Sequence, residues 1–196
     1  MNLPNKLTIG RILLVPFFVT SILIDFPLNN LAALLIFIAA SITDMLDGKI
    51  ARKRGLVTNF GKFADPLADK ILVLSAFLCF VQNGWCGSIA VIFVLLREFT
   101  VTSIRLSAAS NGKVVAANIW GKLKTVSQMI AIIAILTMQI ILELPELGVL
   151  FNKAIYLNLK NIFLVTGEIL IWISTVFTII SGIIYVIQNK QFISET

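Results

Sequence analysis

The chain of 196 residues contains no histidine. That absence removes Ser-His triads, histidine phospho-intermediates and histidine-ligated zinc. Cysteine is nearly as scarce. Cys79 and Cys86, seven residues apart in an apolar stretch, match no metal-ligand spacing and build no disulfide framework; both read as small apolar side chains. Charge is also sparse, at 13% of residues against 58% hydrophobic, where soluble domains carry about 25% charge. A water-soluble globule is therefore excluded, and acid-base work must fall to carboxylates, lysines or tyrosines.

What is present is a series of apolar runs, near 12–24, 31–42, 71–81, 89–96, 129–142 and 162–187. Six spans of about 20 residues use about 120 positions, leaving only loops and ends. The expectation is an all-α integral membrane protein with six transmembrane helices, forming a single domain over 1–196. Several runs are shorter than about 18 residues, so their helices must continue into polar sequence whose charges face protein, water or ions. Thr20 to Asn30 offers no small-residue cleavage site, so the first run reads as a retained helix. The segment 2–8, with Pro4 suited to a first turn, reads as a short interfacial helix before it.

Basic residues set the orientation. With both termini cytoplasmic, Lys6, Arg11, the segments 49–70 and 97–124, and Lys190 share one side, which leaves only Lys153 and Lys160 opposite. The net charge of +6 is thus concentrated on one face suited to anionic lipid or phosphorylated solutes. Nucleic acid is not an expected partner, because no exposed aromatics interleave the basic residues.

The most informative string runs from Asp44 to Asp69. On a helix, Asp44, Asp47, Gly48 and Ala51 share one face, and Asp65 and Asp69 share another. Gly55 breaks the two helices, and Pro66 suits the first turn of the second if that helix begins near Gly61 or Lys62. Four carboxylates at a membrane boundary repel one another and need a cation. Oxygen-only ligands favour Mg²⁺, Mn²⁺ or Ca²⁺, and two such ions about 3.5–4 Å apart suit phosphoryl transfer. Gly48 and Ala51 would let a bulky phosphate or nucleotide approach, and Arg52 could pair with a phosphate. A lone aspartate here would more simply cap a helix or pair with Lys49, Arg52, Arg54 or Lys70; four on matching faces would not.

The same residues fill the signature D-x2-D-G-x2-A-R-x8-G-x3-D-x3-D without departure, and the chain thereby resembles the CDP-alcohol phosphatidyltransferases. The resemblance implies a six-helix fold, often homodimeric, that transfers a phosphatidyl group from a CDP-linked lipid to an alcohol and releases CMP. It implies that Asp44, Asp47 and Asp65 hold two divalent ions, Mg²⁺ or Mn²⁺. Asp69 would be the general base with possible metal contact, and Gly48, Ala51, Arg52 and Gly61 would line the CDP-lipid pocket.

A second polar stretch bears on the acceptor. Arg97, Arg105, Lys113, Lys122 and Lys124 lie near the same cytoplasmic mouth, where a dianionic acceptor would need them. Loop lysines also serve topology alone, whereas Arg97 and Arg105 follow an apolar run, where an unpaired charge is costly. Glu98 could orient one of them. The stretches 2–8 with Arg11, 97–99 with Arg105 and Leu106, and 111–113 with 120–125 resemble a bacterial branch of the family that makes phosphatidylglycerol phosphate. That likeness implies CDP-diacylglycerol as donor, sn-glycerol 3-phosphate as acceptor, and a multi-pass protein of the bacterial plasma membrane with its active site facing the cytoplasm. Phosphatidylglycerol or an inositol phosphate as acceptor is the alternative within the family. A cation transporter is the alternative outside it, although the acids cluster near one face with no second copy. Beyond about residue 130 only hydrophobic helices are evident, and Glu168 in the last of them is expected to pair with a polar neighbour.

Overall fold

The computed structural model describes the backbone of residues 3–54, 59–110, 119–144 and 153–190, and the side chains of 7–44, 68, 70–108, 119–144 and 155–190. Among the described residues the chain is all helical: α1 (Leu3–Leu23), α2 (Asn29–Arg54), α3 (Asn59–Gln82), α4 (Ser88–Ser110), α5 (Ile119–Glu143) and α6 (Lys153–Gln188). Each helix outruns its apolar core, as the short runs required. In α3 the polar sequence from Asn59 to Lys70 precedes the apolar stretch, and in α4 the helix continues through Arg97, Glu98 and Arg105.

Two boundaries differ from expectation. No break separates residues 3–8 of the expected interfacial helix from the first apolar run, since α1 continues unbroken from Leu3. Pro4 sits in its first turn, where a missing N–H costs little, and Thr8 and Arg11 are buried in the bundle and not laid on a surface. The second helix of the aspartate string starts at Asn59, ahead of Gly61, so Pro66 falls beyond the first turn.

Polarity is inverted relative to a water-soluble bundle. Leu13, Phe17, Val165 and Ile183 are more than half exposed, while Arg11, Glu98, Lys124, Gln128 and Ser181 are buried. α5 and α6 are long and apolar enough to cross a membrane on their own, with mean hydropathies of 2.1 and 2.3 over their best windows. At 36 residues, α6 spans about 54 Å by its rise, well past a hydrocarbon core of about 30 Å. The outer surface is thus built for lipid.

Inside, aromatic residues and small residues alternate. Phe18 of α1 and Phe37 of α2 meet with ring centroids 5.8 Å apart, and fully buried Ala33, Ala40, Ala76 and Ala90 let backbones approach. In lipid the gain comes from dense van der Waals contact more than from exclusion of water. α1 packs against both α2 and α3, α4 against α6, and α5 against α2 and α6. The two aspartate-bearing helices therefore share α1 as a neighbour.

The turn after α3 shows how closely sequence dictates the ends. Gly84 takes φ 70°, its N–H donates to the Val81 carbonyl at 3.1 Å, and the Trp85 N–H donates to the Phe80 carbonyl at 2.8 Å. The Trp85 and Phe80 rings pack 5.4 Å apart, completing a Schellman cap with its hydrophobic contact. Glu168 then ties this turn to α6, accepting from the Gly87 N–H at 2.8 Å and from the Trp172 indole at 3.0 Å. That is the polar pairing expected for an acid within an apolar run.

Candidate active site

The aspartate string divides between two helices. Asp44, Asp47, Gly48, Ala51 and Arg52 lie on α2, and Gly61, Asp65 and Asp69 lie on α3. Asp44 alone among these has a described side chain; the side chains of Asp47, Gly48, Ala51, Arg52, Gly61, Asp65 and Asp69 lie outside the described residues. Asp44 is partly exposed, and its Oδ1 lies 2.6 Å from Nη1 of Arg11, itself 1% exposed. Arg11 reaches it from α1, which carries the arginine to α2 within the shared interface. The string offers oxygen donors only, which suits a hard divalent cation, and the partly exposed Asp44 carboxylate is consistent with that fit. Among the described residues no group of three or more potential metal ligands is present.

The basic stretch folds into a network centred on Glu98. One carboxylate oxygen, Oε1, accepts from Lys124 Nζ at 2.5 Å and from Arg97 Nη1 at 3.1 Å. Arg97 continues through Nη2 to Ser181 Oγ at 2.7 Å. Arg105, more exposed, donates from Nε to the Tyr185 hydroxyl at 3.3 Å, with its guanidinium 5.5 Å from that ring's centroid. Lys70 donates to the Thr102 hydroxyl and lies within electrostatic reach of Glu98, Lys124, Arg105 and Arg97. Gln128 joins α5 to Thr178 of α6 at 3.3 Å. A cavity of about 30 Å³ opens among Lys70, Glu98, Lys124, Thr125 and Gln128, roughly the space one water takes. One buried carboxylate thus gathers cations from three helices and leaves them in positive excess, an arrangement suited to a phosphate dianion.

Of the expected acceptor residues, the structure brings Arg97 and Lys124 together through Glu98 and places Arg105 within the same field. Lys122 is exposed, and two positions from Lys124 it faces another side of α5. Lys113 lies outside the described residues. Three participants were not expected. Lys70 had read only as a partner for the aspartates, and Ser181 and Tyr185 belong to the helix that had read as merely hydrophobic. Their signal was present in the sequence: Ser174, Thr178, Ser181 and Tyr185 recur every three or four residues and form one buried face of α6.

An apolar exterior over a charged interior, with two helices long and apolar enough to cross a bilayer, is the build of a membrane protein. Comparison with known proteins identifies which kind: the chain belongs to the CDP-alcohol phosphatidyltransferase family, whose match extends over residues 1–180. It is 40% identical over 202 residues to the CDP-diacylglycerol--glycerol-3-phosphate 3-phosphatidyltransferase of Bacillus subtilis, covering 97% of this chain and 96% of that protein. It is 38% identical to the protein of the same name from Rickettsia bellii, over 97% of each chain. It is also 40% identical over 150 residues to the CDP-diacylglycerol--glycerol-3-phosphate 3-phosphatidyltransferase 2 of Arabidopsis thaliana, covering 69% of this chain and 64% of that one.

Proposed function

We propose that the protein transfers the phosphatidyl group of CDP-diacylglycerol to sn-glycerol 3-phosphate, giving phosphatidylglycerophosphate and CMP. The observation that carries this reading is the pairing, in one chain, of an unbroken aspartate signature on α2 and α3 with a buried cationic network on α3, α4 and α5. The relatives of the same length and the same printed name support the acceptor.

Asp44, Asp47, Asp65 and Asp69 would hold two divalent ions, Mg²⁺ or Mn²⁺, whose role when bound is to neutralise the diphosphate. Arg11 holds the Asp44 carboxylate in place. Gly48, Ala51, Arg52 and Gly61 receive the CDP moiety, with small residues admitting it and Arg52 pairing with phosphate. Arg97, Arg105 and Lys124 bind the acceptor's phosphate, and Lys113 and Lys122 add positive charge at the mouth. Asp69 accepts the proton of the attacking hydroxyl. A new oxygen–phosphorus bond forms at the lipid-bearing phosphorus, the diphosphate P–O bond breaks in line, and CMP departs with those electrons. No covalent enzyme intermediate is needed.

Residues 1–196 form one membrane domain with six spans and both ends cytoplasmic, and two such chains pair as a homodimer in a bacterial plasma membrane. The cytoplasmic face is the one bearing the basic residues and the active site. The test is CMP release by the detergent-solubilised protein given CDP-diacylglycerol, magnesium or manganese, and a panel of sn-glycerol 3-phosphate, phosphatidylglycerol and inositol phosphate. Release confined to sn-glycerol 3-phosphate is the expected result. Release with inositol phosphate would overturn the acceptor's identity, and release with phosphatidylglycerol, which has no phosphate monoester, would overturn the reading of Arg97, Arg105 and Lys124.

A further inference from the structure

At the end of the bundle opposite the aspartate string, the turns following α1 and α3, the last turns of α5 and the first turns of α6 line a cleft of about 1060 Å³. Asp25, Asn29, Asn30, Trp85, Glu143 and Lys160 are among its lining residues. Asn30 lies in the first turn of α2, fourteen residues before Asp44 and roughly 20 Å from it along the helix axis, so the cleft stands apart from the proposed transferase site.

The hydrogen bonding here is one-sided. Asn30, only 6% exposed, donates its backbone N–H to Glu143 Oε1 at 3.1 Å. Its side-chain amide nitrogen donates to the same oxygen and to Asn29 Oδ1. Asn29 in turn donates its amide to the Ile24 carbonyl at 3.2 Å. These contacts fix which end of the Asn30 amide is nitrogen. Among the described residues they leave Asn30 Oδ1 and Glu143 Oε2 buried with no donor. A buried acceptor without a donor is expensive, and a carboxylate oxygen more so. Among the described lining residues two carboxylates, Asp25 and Glu143, stand against one cation, Lys160.

Two orphaned acceptors, one formally charged, in a cleft with a carboxylate to spare, call for a positively charged occupant. We propose that this cleft binds a cation at Asn30 Oδ1 and Glu143 Oε2. Its chemistry is that of a hard ion or a primary ammonium, and the source is either an inorganic cation or the ammonium of a lipid headgroup. A carboxylate and an amide carbonyl are ordinary ligands for calcium, and both accept hydrogen bonds from an ammonium equally well.

Trp85 lines the cleft and supplies a local probe. The full-length protein in detergent is titrated with calcium chloride and, separately, with ethanolammonium chloride, while tryptophan emission is followed. Glu143→Gln and Asn30→Asp are run alongside. Ions bound at the aspartate string contribute to wild type and variants alike, so the difference between them isolates the cleft. The expected result is a saturable change with at least one probe. Glu143→Gln weakens it about tenfold or more, as loss of a charged acceptor implies, and Asn30→Asp tightens it. Saturation by calcium alone identifies an inorganic ion; saturation by ethanolammonium identifies a headgroup amine. CMP release in Glu143→Gln stays at the wild-type level, which separates this site from the transferase reaction. No saturable change with either probe, or equal binding in wild type and Glu143→Gln, overturns the proposal.

Discussion

Replacing Gly182 by alanine alters no charge and no polar group, yet it should impair the acceptor site. A Cβ at 182 would lie 2.8 Å from Cγ of Arg97, 3.7 Å from its Cβ and 4.0 Å from its Cδ. Cγ is tethered one bond from the α4 stem and cannot swing aside as a side-chain tip would. Relief requires either rotation of Arg97 or separation of α4 from α6. Rotation pulls the guanidinium off Ser181 and Glu98, which it meets at 2.7 and 3.1 Å. Overpacking of this kind costs about 1–3 kcal/mol. If Arg97 holds the acceptor phosphate, losing a charge-assisted hydrogen bond of about 1.5–3 kcal/mol raises the acceptor KM by about 10- to 100-fold. The KM for CDP-diacylglycerol is expected to stay near wild type, since the nucleotide is proposed to bind at the α2–α3 signature and not at Arg97. Gly10→Ala is the control: nothing lies within 4 Å of its added Cβ, so the change is neutral or stabilising by up to about 1 kcal/mol. The assay is CMP release against sn-glycerol 3-phosphate at saturating lipid, and then the converse. An acceptor KM within about twofold of wild type in a folded Gly182→Ala protein, where tenfold needs only about 1.4 kcal/mol, would refute the placement of Arg97.

Other outcomes follow from single contacts. Lys124→Met leaves Glu98, 4% exposed, with less of its counter-charge; breaking such a buried pair costs about 3 kcal/mol or more, read as a fall in the apparent melting temperature and a raised acceptor KM. Gly84→Ala forces an alanine to φ 70° in the α3 cap, a loss of about 1–2 kcal/mol measurable by thermal unfolding in detergent. Leu28 holds φ 60°, so Leu28→Gly relieves strain of similar size and raises that temperature. Burial, reinforced by the negative charge of Glu168, pushes the Cys86 thiol up to about 12. It therefore stays protonated through the neutral range, and alkylation should rise about tenfold per pH unit with no plateau below that value; a plateau near pH 9 would contradict the burial.

The all-helical build and the six helices of the described residues were legible because they rest on short-range periodicity, and the division of the aspartate string between α2 and α3 followed from it. Gly55, read as the break between the two aspartate-bearing helices, lies outside the described residues, between the end of α2 at Arg54 and the start of α3 at Asn59. What escaped was set by tertiary context. Residues 2–8 carry both polar and apolar side chains, and only the packing of α1 decides that Thr8 and Arg11 go inside. Lys70, next in sequence to Asp69, points its ammonium to Thr102 of α4 instead. The largest omission was α6, whose mean apolarity hides a serine–threonine face that becomes meaningful only once Arg97 and Gln128 arrive from other helices. Arg11 was visible as part of a branch motif, but its partner Asp44 lies 33 positions away in sequence and is joined to it by helix packing.

The proposed reaction is phosphatidyl transfer to a phosphorylated glycerol with Asp69 taking the proton. It is tested most directly by incubating the purified protein with CDP-diacylglycerol, magnesium and isotopically labelled sn-glycerol 3-phosphate, and reading the lipid product by mass spectrometry beside Asp69→Asn. Labelled phosphatidylglycerophosphate with an equal amount of CMP is expected from the wild type, and none from the variant, which still binds CDP-diacylglycerol. Labelled product from Asp69→Asn at near-normal rate, or no labelled lipid from the wild type, would contradict it.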